Sequence, residues 1–87
     1  MTGGTWHPSL PPGALLRHDR ARGTDVLLLP ERVVVLHGSA RSVLDLCDGQ
    51  RSVDDIAQLL VQRHPEQARI ADISQFLRRL HAQGCLQ

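Results

Sequence analysis

Two apolar runs set back to back, Val26–Leu29 and Val33–Leu36, restrict this chain more than any other feature. Each is short, rich in Val and Leu and bounded by turn residues, which is the pattern of a β-strand. Only Pro30-Glu31 and Arg32 separate them, so a tight hairpin is the connection the chain permits. The pair lacks the Gly or Asn of the favoured hairpin turns, which leaves the turn type open. Upstream, "ALLRHD" and the turn "RARGT" with Gly23 supply another strand, predicting a three-stranded antiparallel meander over Ala14–His37. The second and third strands are apolar at successive positions, where alternation is expected if one face meets water. The last strand of a meander lies at an edge, and its unpaired amides and carbonyls can template another strand. A helix, a second copy of the chain or a bound peptide could cover "RVVVL".

After His37-Gly38 the hydrophobic period changes from two to that of a helix. Ser39 stands at an N-cap position, with Ala40, Val43, Leu44 and Cys47 on one face of a short helix that Asp48-Gly49 ends. Ser52 then caps a second helix, with Asp54 and Asp55 suited to its positive end. Ile56, Leu59, Leu60 and Arg63 follow at helical spacing until His64-Pro65. A third helix starts near Arg69 or Ile70. Its stripe is Ile70, Ile73, Leu77 and Leu80, widened by Phe76, and Gly84 ends it. The expected architecture is α+β and winged-helix-like: a three-stranded antiparallel meander followed by a three-helix bundle. Residues 1–13, with three Gly and three Pro, read as a flexible arm ahead of a domain at 14–87.

A chain of 87 residues buries only ~60–65% of its unfolded surface, so large substrate cavities are not expected. With Trp6 and Phe76 the only aromatics, its core must come from Leu, Val, Ile and Ala. The net charge of +1 is spread over interleaved acids and arginines, without the basic stripe of a nucleic-acid binder. Cys47 and Cys85 form no CxxC, and the five histidines form no HxH or HExxH. Cys47 reads as a small core hydrophobe, and Asp54-Asp55 as a helix start. No metal site, cofactor or catalytic constellation emerges, and an enzyme is not expected. The chain has no membrane-length apolar run and no signal-peptide pattern, which predicts a cytoplasmic protein. The helical pair "SVDDIAQLLVQRH" and "ARIADISQFLRRLHAQ" could be a DNA-binding helix-turn-helix, but Asp72 shares the recognition helix and the strand hairpin is apolar.

The run "HDRARGTDVLLLPERVVVLHGSARSVLDLCDGQRSVDDIAQLL" closely resembles the PqqD family of pyrroloquinoline quinone (PQQ) biosynthesis. The matching parts are "LLLPE", a following V-x-L strand, the "SA-x-x-V-L-x-L-C-D-G" helix, the "R-S-V-x-x-I" helix start and the closing "L-x-x-L-x-x-x-G-x-L". Together they cover about residues 14–86. His18 replaces a common aromatic, and His37-Gly38 stands where Asn or Asp is frequent. The resemblance implies a peptide chaperone, without cofactor or catalysis, that binds the ribosomal precursor PqqA and presents it to the radical S-adenosylmethionine enzyme PqqE. It also implies that the peptide adds as a strand beside the third strand and lies against the third helix. That agrees with an apolar edge next to an amphipathic helix. The candidate contacts are Val33, Val34, Val35 and Leu36 on the edge and Ile73, Phe76, Leu77 and Leu80 on the helix. Arg78 and Arg79 are candidate electrostatic contacts. The alternatives are a winged-helix DNA-binding protein and a recognition element of another modified-peptide pathway. Homodimerisation through the same edge, or by strand exchange near His37-Gly38, could accompany peptide binding.

Overall fold

The computed structural model describes residues 5–87. Three strands, β1 (Leu15–Asp19), β2 (Thr24–Leu28) and β3 (Val33–Leu36), precede three helices, α1 (Ala40–Asp45), α2 (Val53–Arg63) and α3 (Ile70–Ala82). The strands form one antiparallel sheet in the order β1-β2-β3, so β3 lies at an edge as the meander requires. Winged-helix-like describes this loosely, since every strand comes ahead of every helix.

Each turn has a local cause. At the β1–β2 turn, Asp19 Oδ1 accepts bonds from the Ala21 and Arg22 amides, and Gly23 takes the positive φ of 66° that an L side chain resists. Pro30-Glu31 closes the β2–β3 hairpin between two reciprocal backbone bonds, Leu29 N–H to Arg32 O (2.9 Å) and Arg32 N–H to Leu29 O (3.4 Å). Neither turn residue has a positive φ, which excludes the glycine-dependent turn types and answers the question left by the sequence.

The register puts Leu16, Leu27 and Val34 in one cross-strand row and His18, Asp25 and Leu36 in the next row of that face. This face meets the helices, and Leu27, Leu44, Ile56 and Leu77 are fully buried between the layers. The opposite face carries Leu15, Leu28 and Val33, then Arg17, Val26 and Val35. Its apolar character explains why the two runs do not alternate.

Four details depart from the sequence reading. Ser39 occupies the N-cap position of α1, but its hydroxyl caps nothing, and the helix is only six residues long. Cys47 lies just past α1, where its amide bonds to Leu44 O (3.0 Å), and it is buried all the same. Ile70 is exposed, because the first turn of α3 projects beyond the core. The fourth concerns the arm. Residues 1–4 lie outside the described residues, but residues 5–13 lie against the body. Pro8 is fully buried and its carbonyl accepts from Gly49 N–H (2.9 Å). Ser9 and Gln87 exchange two backbone bonds, and the Trp6 indole donates to Gln87 O (3.2 Å) while its ring sits 4.4 Å from that of His81. Pairing its backbone groups and burying Pro8 hold this segment, where composition alone suggests a free one.

Helix α2 begins with a full capping box. Asp55 N–H donates to Ser52 Oγ and Ser52 N–H donates to Asp55 Oδ2, both at 3.1 Å. The backbone bond from Ser52, then the bond with its hydroxyl, holds the Asp55 carboxyl below the ordinary value of 3.8. A carboxylate whose folded pKa is lowered stabilises the fold above its unfolded value, and that contribution is lost as pH falls through the folded value. Ser52→Ala is expected to cost about 1 kcal/mol. The stability difference between the parent and Asp55→Ala should be level above about pH 5 and shrink in more acid solution. Urea melts across pH 2–7 measure both.

Candidate functional site

The free edge of β3 follows from hydrogen-bond alternation. The reciprocal bonds between Leu29 and Arg32 make them a hydrogen-bonded pair. In an antiparallel ladder such pairs alternate with non-bonded ones. The register Leu28↔Val33, Leu27↔Val34, Val26↔Val35, Asp25↔Leu36 therefore directs the backbone groups of Val34 and Leu36 to β2. The amides and carbonyls of Val33 and Val35 point away from β2, to the open edge. Their side chains belong to the outer face and are correspondingly exposed, 55% at Val33 and 36% at Val35.

Past the Leu36 end of this edge lies a cavity of about 330 Å³. Val43 of α1, Leu60 of α2, and Ile73 and Phe76 of α3 form its apolar wall, and His37, His64, Arg69 and Asp72 stand among its polar lining. It exists because α1 is short and the connection from α2 to α3 turns back over it: His64 O accepts both Gln67 N–H (3.1 Å) and Ala68 N–H (2.9 Å).

The structure separates the predicted contacts into groups. Val33 and Val35 display edge groups. Val34 is half-buried on the inner face and Leu36 is buried. Leu77 and Leu80 are core residues with no share in the cavity lining, whereas Ile73 is buried yet reaches the cavity and half-buried Phe76 lines it. Arg78 and Arg79 are exposed. Arg78 lies about 200° round α3 from Phe76 and borders a separate polar recess with Trp6, Ser52 and Asp54. The cavity residues His37, Val43, Leu60, His64, Arg69 and Asp72 were not singled out as peptide contacts by the sequence. They come from three elements and their connections, and His64-Pro65 carried only a helix-stop signal.

Other polar groups serve the scaffold. His18 Nδ1 and Asp25 Oδ1 lie 3.0 Å apart, and Arg41 pairs with both Asp25 (3.4 Å) and Asp45 (3.1 Å), which ties α1 to β2. The Arg32 guanidinium donates to Gln83 O and Cys85 Sγ, joining the hairpin to the end of α3. Burial, with a smaller contribution from Asp48, pushes the Cys47 thiol up to about 12, so it is held neutral and unsuited to nucleophilic work. Among the described residues no group of three or more His, Cys, Asp or Glu is placed to hold a metal ion. No helix among them is long and apolar enough to cross a membrane.

Comparisons with known proteins bear on the family and the fold. The family model for PqqD, coenzyme PQQ synthesis protein D, matches residues 25–86. The chain belongs to the PqqD family. Within it, the PqqA binding protein of Xanthomonas euvesicatoria pv. vesicatoria is 44% identical over 91 residues, covering 100% of this chain and 99% of that protein. A bifunctional coenzyme PQQ synthesis protein C/D of Methylorubrum extorquens is 47% identical over 57 residues, which are 66% of this chain and 15% of the fusion protein. Among solved structures, the solution structure of the PqqD truncation of Methylobacterium extorquens PqqCD superposes with a TM-score of 0.70 at 39% identity, covering 92% of this chain and 87% of that one. That PqqD truncation is described as a functional, stand-alone recognition element for ribosomally synthesised and post-translationally modified peptides. PqqD from Xanthomonas campestris gives a TM-score of 0.53 at 37% identity, with 91% and 90% of the two chains covered. The PqqD likeness therefore covers both the sheet and the helices.

Proposed function

We propose that this protein is a peptide chaperone of PQQ biosynthesis that binds the precursor PqqA by strand addition to β3. The observation carrying this reading is the open edge, where Val33 and Val35 offer backbone donors and acceptors that have no partner among the described residues, beside a cavity with an apolar wall. A relative matching the whole chain is named a PqqA binding protein, which supplies the peptide's identity. Main-chain bonds provide affinity in this mode, and pockets for alternate side chains provide specificity. The protein performs no chemistry itself; it holds the peptide extended and presents it to the radical S-adenosylmethionine enzyme PqqE.

Titration of isotope-labelled protein with PqqA peptide tests the reading. Amide resonances of residues 33–37 and of the α3 face lining the cavity should shift, together with little change at the β1 edge. Unperturbed β3 amides at saturating peptide would sink it.

A further inference from the structure

We infer that Arg17 closes the β1 edge of the sheet to strand addition, so that an extended backbone, from a peptide or from β3 of a second copy, is admitted at β3 alone. For the peptide, this role rests on strand addition and names the residue that makes the two edges unequal.

A sheet of three strands has two edges, and both carry outward backbone groups. The bonds between Leu29 and Arg32 direct Asp25, Leu27 and Leu29 to β3, and therefore Thr24, Val26 and Leu28 to β1. Their partners Leu15, Arg17 and Asp19 face β2, which leaves the amides and carbonyls of Leu16 and His18 on the outside. Unprotected, that edge would offer the same chemistry as Val33 and Val35. In addition, β3 of one copy could pair with β1 of the next, a head-to-tail contact that repeats without closing.

The edges differ in what stands over them. Arg17 Nη1 donates to the outward Leu16 O at 3.2 Å. Its neighbours are engaged elsewhere: His18 Nδ1 lies 3.0 Å from Asp25 Oδ1, and Asp19 Oδ1 accepts from the Ala21 and Arg22 amides. At β3 the situation is reversed. Arg32, the residue before that strand, is held by Gln83 O and Cys85 Sγ, and among the described residues no side chain bonds an outward group of Val33 or Val35.

The β1 edge is also short. Upstream, Pro11 and Pro12 have no N–H, and the Ala14 N–H is used by Pro11 O (3.0 Å). Downstream, Asp19 O accepts Gly23 N–H (2.8 Å). An added strand would have Leu16 and His18 alone to pair with. Its N–H aimed at Leu16 O meets a guanidinium, which carries donors only, and must displace a charge-assisted bond to make a neutral one. A short edge with a charged side chain and flanking proline is how natural sheets resist edge pairing.

Arg17→Met tests the role, because methionine removes the donor yet keeps an aliphatic stem beside Val26, the ladder partner, which is 4% exposed. Arg17→Lys restores a charged head, and Arg17→Val serves if the methionine variant does not fold in thermal melts. In sedimentation without peptide, the parent and Arg17→Lys should reach a fixed mass, whereas Arg17→Met should grow with concentration. Hydrogen exchange at the Leu16 and His18 amides should slow as it grows. Adding Val35→Pro should abolish the growth by spoiling the β3 edge that β1 would accept. Calorimetric titration of dilute protein with PqqA peptide should give one peptide per parent chain and approach two for Arg17→Met. A folded Arg17→Met of fixed mass that takes one peptide overturns the inference. Growth that survives Val35→Pro also overturns it, because association then runs through the apolar outer face. Strand addition of the peptide is judged separately: unshifted β3 amides in the parent would remove that reading, while sedimentation without peptide still decides the role of Arg17.

Discussion

Val35→Pro is expected to weaken peptide binding by about tenfold or more and to leave the domain folded, whereas Val34→Pro is expected to destabilise the domain itself. The two residues are neighbours of one type on one strand, so composition cannot distinguish them. The difference lies in where each amide points. The hairpin bonds between Leu29 and Arg32 and the register that follows give Val34 N–H to β2 and Val35 N–H to the open edge. Proline at 35 removes a donor that the folded domain does not use, and proline is tolerated at an edge whose amide faces outward. Proline at 34 removes a ladder bond and leaves Leu27 O, on a fully buried residue, without its partner. An unsatisfied buried acceptor of this kind costs about 1–3 kcal/mol. Thermal melts and calorimetric titration of both variants measure the contrast. Equal stability losses would show that the ladder runs in the other phase.

Leu77→Ala is expected to destabilise the fold by about 2–5 kcal/mol, with binding reduced only as far as the folded population falls. Leu77 was a candidate peptide contact from its place on the α3 stripe, yet it is fully buried among the sheet and α2 and takes no part in the cavity. Its truncation leaves a void that close-packed neighbours fill only partly. For 87 residues, at roughly 0.05–0.15 kcal/mol each, the whole stability is only about 4–13 kcal/mol. Losing 2–5 of that is severe. Urea melts give the loss directly, and titration at a temperature where the variant is still folded should return near-parent affinity. A large affinity loss in the folded variant would place Leu77 at the peptide after all.

The stretch Leu46–Ile56, dense in polar and thiol groups, serves architecture instead of chemistry. Cys47 is buried with its thiol pushed up to about 12, Gly49 takes a φ of 81°, and Ser52 with Asp55 forms the capping box. These roles were legible because each depends on neighbours within four residues. Ser39 marks the limit of that locality: it stands at the N-cap of α1 as its residue type suits, but its hydroxyl makes no capping bond. The arm shows the reverse limit. Its Gly and Pro content reports the absence of a regular period, but its docking rests on Gln87, Gly49 and His81, partners far along the chain.

Element order, strand and helix periods, helix stops and the apolar edge were all readable from residue order, because side-chain periodicity and turn chemistry act over a few residues. The family resemblance was readable for a related reason, since it resides in those same local patterns. Three things required the folded chain. Which β3 amides are free depends on the phase of the β2–β3 ladder, and the hairpin closure sets that phase. Which residues of the α3 stripe are core depends on the angle at which α3 meets the sheet and α2, so Leu77 and Leu80 vanish into the interior while Phe76 lines an opening. The cavity itself joins His37, Leu60 and Ile73 from separate segments, and only packing in three dimensions makes them neighbours.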